Sequence, residues 1–418
     1  MRDVYIIGAY STQFKKWPDR SFKQLTRDAY LEVLKDAKME NGDEIQFAWF
    51  GNCFMGFQEQ MNIRGQVCFI PLVREGLFPE RVPLINVEGA CATASMAFHG
   101  ACKDILSGEC EVSLAVGVDK VFNPKATREE TFKMFDVGID NFDREETIDE
   151  YIKAAEKCGE KFEIGPDRTM FMDTYAIQAL YHMWKYDTTQ RQIAIGASKN
   201  HFFGSLNPKA QYQFQVPVEK VLEDRVISYP LTRSMCAPIG DGAAAAIVCS
   251  GDFMKNLPSD VQNRAVKVKA TVFTGGKYRD PDEPSLSKVA ADKAYEKAGV
   301  RPEDIDVAEV HDASSFCEIY QAEMLGFCPV GEGGKFIESG ETALGGKIPI
   351  NTSGGLVSKG HPVGATGLSM IYELVTQLRG EAGPRQVKNA EFALQENGGG
   401  VIGLEEAACS IIILQKDR

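Results

Sequence analysis

The chain has 418 residues, 44% of them hydrophobic and 25% charged, the composition of a globular protein with core enough for about two or three domains. Its 46 basic and 59 acidic residues leave a net charge of −13, which argues against nucleic acid as a partner, and no apolar run approaches the ~20 residues that span a bilayer. Eleven cysteines without a Cys-x-x-Cys pair fit neither a disulfide framework nor a zinc ribbon; with a polar start at Arg2-Asp3 they point to free thiols in a cytoplasmic protein without a resident metal.

In chain order the hydrophobic pattern predicts strand Val4–Ala9, helix Phe22–Met39, strand Ala48–Phe54, helix Asn62–Glu75, strand Leu84–Glu88, helix Thr93–Ser107 and strand Val112–Val118. Between Val121 and about Ser234 the pattern loosens into charged and aromatic stretches, with an acidic helix over Glu145–Glu160. A strand at Ala243–Cys249 follows the turn Gly240-Asp241-Gly242. The first pattern then repeats: strand Val266–Phe273, helix Leu286–Ala298, strand Val307–Val310, helix Phe316–Leu325, strand Ile348–Asn351, helix Ala365–Leu378, and strands Glu391–Gln395 and Cys409–Gln415. Strands alternating with amphipathic helices imply an α/β protein of two duplicated, doubly wound βαβαβαββ halves with parallel-rich sheets. The expected boundaries are residues 1–120 plus 235–255 for the N-terminal half, 121–234 for an inserted loop domain, and 256–418 for the C-terminal half.

Three places on this pattern carry chemistry. Cys91 falls in the turn between strand Leu84–Glu88 and helix Thr93–Ser107, where a helix N-terminus is expected to favour its thiolate, the form that accepts acyl groups. His311 follows strand Val307–Val310 directly. His361, one of five histidines, sits in the glycine-dense tract GGLVSKGHPVGATG, fixed between Gly360 and Pro362. That tract reads as a phosphate-cradling turn, a structural turn, or a mount for one imidazole. Its spacing matches neither GxGxxG nor GxxxxGK[ST], which favours the mount. Strand ends on one edge of a doubly wound sheet are where ligands bind, so a thiol and two imidazoles at three such ends suit acyl transfer. His99, His182 and His201 are expected to be structural.

The runs GACATAS around Cys91, VHDASS around His311, INTSGGLVSKGHPVGATG around His361 and the tail ALQENGGG, in that order, resemble the thiolase superfamily. The resemblance covers nearly the whole chain. It is closest to the branch of sterol carrier protein X and archaeal acetoacetyl-CoA thiolases, through the run from Glu323-Met324-Leu325-Gly326 to Leu378-Arg379-Gly380-Glu381-Ala382-Gly383. It implies the thiolase fold and a cleavage of 3-oxoacyl-CoA by coenzyme A, the co-substrate, through an acyl group on Cys91. His361 would activate Cys91, and His361 with His311 would bind the enolate oxygen. The N–H groups of Cys91 and of Gly398 or a neighbouring glycine would form an oxyanion hole.

The chain departs from the family pattern at one role. The acid/base cysteine of the C-terminal Cys-x-Gly turn is replaced by Glu396, and the one that sits two residues after the first histidine in the sterol carrier branch is Ala313. Glu396 is the expected substitute, with Cys317 or His311 and water as alternatives. This gap leaves open a retro-aldolase or decarboxylating condensing enzyme of the same fold, or a non-catalytic acyl-CoA-binding subunit. Arg225, Arg233 and Lys199 are candidate contacts for coenzyme A, and Ala237-Pro238 stand where the usual pantetheine-contacting serine is expected. Phe171, Tyr175, Trp184, Phe202 and Phe203 are candidate walls of a pocket for a bulky or aromatic acyl group, as in the resemblance to the thiolase subunit acting on benzoylsuccinyl-CoA in aromatic degradation. The resemblance further implies a homodimer and a separate zinc-ribbon/OB-fold partner subunit.

Overall fold

The computed structural model describes residues 2–165 and 168–417. Its strands are β1 (Val4–Ser11), β2 (Phe47–Gly51), β3 (Leu84–Val87), β4 (Val112–Asp119), the short pair β5 (Val226–Ser228) and β6 (Leu231–Thr232), β7 (Gly242–Ser250), β8 (Val266–Gly275), β9 (Val307–Glu309), β10 (Phe392–Gly399) and β11 (Ala408–Lys416). Nine of them form one sheet in the order β3-β2-β4-β7-β1-β8-β11-β10-β9. The halves meet at β1 and β8, through only Tyr5 opposite Lys267 and Ile6 opposite Val266. Each half repeats the same order outward from that seam, because Ala308 of β9 makes a further bridge to Ile350. The expected strand Ile348–Asn351 is reduced to this single bridge. The sheet is also less parallel than expected: β3-β2-β4 and β9-β10 are parallel, whereas β7, β1, β8 and β11 pair antiparallel with their neighbours.

Side-chain alternation along the strands builds the layers. On β7, Ala243, Ala245, Ile247 and Cys249 face the cluster covered by helices Phe22–Asp36 and Arg64–Arg74. The intervening Ala244, Ala246 and Val248 face a second cluster that also takes Ile412 and Leu414 of β11, joining the halves. That shared cluster is filled by helices Thr93–Ser107 and Thr366–Arg379, the two helices that follow Cys91 and His361. Cys409, Ile411 and Ile413 of β11 face a third cluster beneath helix Leu286–Ala298. Both central helices are buried along most of their length, so their N-termini are fixed by core packing on both half-sheets.

The first helix stops at Asp36 rather than Met39, because Lys38 takes a left-handed φ of 54°. Between β4 and β7 the chain is mainly helical, including Arg144–Lys157, Met170–Tyr186 and Gln190–Ser205. No helix among the described residues is long and apolar enough to cross a membrane.

Candidate active site

The three sequence-predicted groups come together. One ligand atom each from Cys91, His311 and His361 lie within 4.8 Å of one another, and Cys91 Sγ is 3.1 Å from His361 Nε2. Cys91 sits in a 3-10 turn, Ala90–Ala92, between β3 and the central helix. Ala90 holds φ at 48°, a left-handed conformation that an alanine adopts only under constraint. The constraint is visible: Ala90 N–H donates to Glu88 Oε1 at 2.6 Å, and Gly89 N–H to Thr93 Oγ1 at 2.8 Å. Gly399 closes the turn from the other side. A Cβ there would lie 2.3 Å from both Ala92 N and Gly89 O, so only glycine lets β10 approach this closely.

The thiol does not behave as the helix-terminus expectation predicts. Burial pushes the Cys91 thiol up to about 12, against the opposing pull of N–H groups from Gly400 and Cys91 itself. Desolvation of a cysteine only 8% exposed outweighs the helix terminus, so the resting group is a neutral thiol that needs a base. Those same two N–H groups are the candidate oxyanion donors; the glycine supplying one is Gly400, whereas Gly398 packs against Glu406.

His361 is placed within reach of the thiol in a defined tautomer. The Thr366 hydroxyl donates to the Pro362 carbonyl at 3.0 Å and therefore accepts from His361 Nδ1 at 2.7 Å. With the proton on Nδ1, as this hydrogen-bond pattern assigns it, the Nε2 lone pair faces the Cys91 thiol. Burial, with lesser contributions from His311 and Lys359, holds the His361 pKa well below its ordinary value, so the imidazole is neutral at rest. The tract carrying it is anchored by Asp119 at the end of β4, whose carboxylate accepts from Gly364 N–H and, at 3.0 Å, from Phe54 N–H. Sequence reading missed both Thr366 and Asp119; a Thr immediately before a buried helix's first glycine and an Asp ending an apolar strand are signals too common to single out.

His311 is 3% exposed, its ring centroid 5.2 Å from that of His361, and burial takes its pKa down to about 4. Its strand end is pinned to the His361 tract: Asp312 accepts from Leu356 N–H at 2.6 Å, and Glu309 accepts from Ser353 N–H at 3.0 Å. Glu396, the expected acid/base group, sits against the His311 backbone. Its fully buried carboxylate accepts from His311 N–H at 3.0 Å and from Ser287 at 3.3 Å, and it does not line the cavity that Cys91 opens onto. Burial, and then Glu406, pushes its pKa up to about 8, but β10 alternation turns the side chain toward Cys409 and the C-terminal core. Cys317 is likewise buried, against Ser314 at 3.4 Å, and does not line the cavity.

Cys91, His361 and Ala313 lie in a cavity of about 450 Å³. Its walls are apolar and aromatic, with Phe54, Phe132, Phe135, Phe171, Tyr175 and Tyr212. Of the predicted wall residues, Phe171 and Tyr175 are present; Trp184 and Phe202 are exposed elsewhere and Phe203 is core. Arg225 and Arg233 line the cavity as expected, joined by Arg128 and Arg168, and Ala237-Pro238 line it as well. Lys199 does not. Its ammonium is buried against Glu318 at 2.5 Å and the Ile350 carbonyl at 2.6 Å, because its helix turns that face into the C-terminal half. The other histidines are hydrogen-bonded away from the cavity: His99 to Thr271, His182 to Thr188 and Glu323, and His201 to the Ser234 carbonyl.

A duplicated α/β fold that gathers a thiol and two imidazoles, with Cys91 and His361 on the wall of one cavity, suits a class of acyl-transferring enzymes, and the comparisons with known proteins agree. Residues 4–220 match the thiolase N-terminal domain family, and residues 277–414 match the thiolase C-terminal domain-like family. An acetyl-CoA acetyltransferase of Methanothermobacter thermautotrophicus is 36% identical, with 96% of this chain and 98% of the relative aligned. The benzoylsuccinyl-CoA thiolase subunit BbsB of Thauera aromatica is 31% identical over 93% and 92% of the two chains. Among solved structures, the Ltp2-ChsH2(DUF35) aldolase superposes with a TM-score of 0.76 at 22% identity, covering 100% of this chain and 98% of the other, which supports the fold. The chain belongs to the thiolase family and is an acyltransferase of that family, the fold and family to which its motifs pointed.

Proposed function

We propose that the chain is a thiolase that cleaves a 3-oxoacyl-CoA with coenzyme A through an acyl-enzyme on Cys91, and that its acyl substrate is bulky or aromatic. The observation that carries the reading is the 3.1 Å contact of the Cys91 thiol with a His361 Nε2 whose tautomer Thr366 sets. His361 takes the thiol proton as sulfur attacks the 3-oxo carbon. The oxyanion so formed is met by the N–H groups of Cys91 and Gly400. The C2–C3 bond then breaks, leaving the acyl group on sulfur and an enolate of the shorter acyl-CoA whose oxygen faces His311 and His361. That enolate takes the proton held on His361 and departs; the thiol of free coenzyme A then gives its proton to His361 as it attacks the thioester, the new acyl-CoA leaves, and His361 returns the proton to the Cys91 sulfur. Preorganised donors of this kind are each worth about 10²–10³ in rate.

Coenzyme A is polyanionic, and Arg128, Arg168, Arg225 and Arg233 around one cavity suit its phosphates. The aromatic walls suit an acyl group larger than acetyl, a reading in line with the substrate named for the BbsB relative. A homodimer belongs to the same proposal: β3, which leads into Cys91, is a sheet-edge strand with Ile85 exposed. So does a small zinc-ribbon/OB-fold partner, since the BbsB relative is itself named as a subunit. The test is chromatographic: purified protein with acetoacetyl-CoA and with aryl-substituted 3-oxoacyl-CoAs, with and without coenzyme A. Coenzyme A-dependent cleavage, with kcat/KM at least tenfold higher for the aryl substrates and lost in Cys91→Ala, is expected. Cleavage that needs no coenzyme A and survives Cys91→Ala would make the enzyme a retro-aldolase instead.

A further inference from the structure

Spacing along the chain excludes a zinc motif, because the cysteine and histidines that could hold a metal are far apart in sequence. The fold reverses this. Cys91, His311 and His361 bring one ligand atom each within 4.8 Å of one another, and they are the one group of three or more such side chains among the described residues. A tetrahedral zinc with two imidazole nitrogens at about 2.0–2.1 Å and a thiolate at about 2.3 Å needs its ligand atoms about 3.3–3.6 Å apart. The Cys91–His361 pair, at 3.1 Å, is only about 0.2–0.5 Å closer than that spacing, and no pair of the three ligand atoms is more than 4.8 Å apart, so closing on a metal needs side-chain shifts of at most about 1.5 Å.

Two further observations point to a ligand. His311 Nε2 is buried and has no hydrogen-bond partner, an unmet polar atom in the middle of the site. His361 has the outer contact typical of metal-ligating histidines, its far nitrogen held by a hydrogen bond, here from Nδ1 to Thr366. Both Cys91 and His361 line the cavity, so a metal on the three side chains keeps one coordination position open to water or an incoming thiol.

We infer that Cys91, His311 and His361 form a three-ligand site for Zn²⁺ that holds the enzyme in a reversible, inactive resting state. Binding forms the Zn–S bond at Cys91, releases the thiol proton to solvent, and occupies the Nε2 lone pair of His361. The nucleophile and its base are thereby withdrawn together, while oxidation or alkylation of the thiol is blocked. The site involves no redox step and does not depend on which acyl-CoA is the substrate; the description of the state as inactive rests on the proposed role of Cys91.

The experiment is equilibrium Zn²⁺ binding to metal-free protein by competition with a chromophoric chelator, alongside the rate of Cys91 alkylation by iodoacetamide read by peptide mass spectrometry. One Zn²⁺ per chain is expected, with affinity at least tenfold weaker in Cys91→Ala and in His311→Ala, both checked for native circular dichroism. Cys91 alkylation in the wild type should slow at least tenfold with zinc and recover with EDTA. Zinc affinity equal in wild type and in both variants, or an alkylation rate indifferent to zinc, overturns the inference. Because neither readout uses turnover, a protein that binds zinc yet fails to cleave any 3-oxoacyl-CoA would sink the thiolase proposal and leave the metal site standing.

Discussion

At the scale of single residues, chemistry rests on a proton position. Burial raises the Cys91 thiol to about 12 and keeps both imidazoles neutral, so reactivity depends on His361 presenting a lone pair to the sulfur. Thr366 secures that by bonding Nδ1. Thr366→Val keeps the side-chain volume and removes the hydroxyl. It should lower kcat about 10–10²-fold with KM for the acyl-CoA within about threefold, since a general base contributes about 10²–10⁴-fold when correctly placed. Steady-state kinetics decide this, and an unchanged kcat would remove Thr366 from the positioning of His361. The juxtaposed thiol and both imidazoles were legible in the sequence because each stands at a strand end or in a glycine tract. The direction of the Glu396 carboxylate was not legible: glycine spacing locates a turn, but on a strand the alternation of side chains decides which face a carboxylate takes, and here it faces Cys409.

At the scale of elements, the central helices carry the site on their N-termini and the inter-half packing on their flanks. His99 lies on the first of them and bonds Thr271 of β8 at 2.8 Å, linking the two halves. Burial, then Lys103 and Lys297, lowers its pKa to about 4, against about 6.5 when unfolded. Between those values the unfolded chain binds more protons than the folded one. Stability is therefore fully present above pH 6.5 and is lost as pH falls toward 4, by about 2–3 kcal/mol at pH 4.5 from this residue. Urea unfolding of wild type and His99→Gln at pH 7.5 and 4.5 checks it: the acid-induced loss should be smaller by that amount in the variant, and an equal loss in both contradicts the assignment. The elements themselves were largely readable from hydrophobic period. The exception, Ile348–Asn351, failed as a strand because only Ile350 bridges to Ala308 before the chain turns into the glycine tract, whose Ser353 and Leu356 N–H groups are taken by Glu309 and Asp312.

At the scale of the whole molecule, an acidic protein gathers Arg128, Arg168, Arg225 and Arg233 around the Cys91 cavity, where the proposal brings in an anionic co-substrate. Arg225 and Arg233 come from one short segment and Arg128 and Arg168 from two others, so the cluster exists only in the folded chain, and the sequence showed two of its four members. Arg225→Ala with Arg233→Ala should raise KM for coenzyme A about tenfold at 50 mM salt, leave kcat within about twofold, and flatten the dependence of KM on salt, because charge attraction across solvent is screened over about 8–10 Å near physiological ionic strength. A KM unaffected by the pair would place the coenzyme elsewhere. Lys199 would not serve as a substitute, tied as it is to Glu318. The proposed reaction joins cavity, arginines and the Cys91–His361 contact through an acyl group carried on the Cys91 sulfur. The measurement that tests this most directly is intact-protein and peptide mass spectrometry after mixing metal-free enzyme with a 3-oxoacyl-CoA in the absence of free coenzyme A. An acyl mass on Cys91, absent in Cys91→Ser and discharged when coenzyme A is added, is the predicted result; turnover of the same substrate with no acyl mass on Cys91 under rapid acid quench would contradict it.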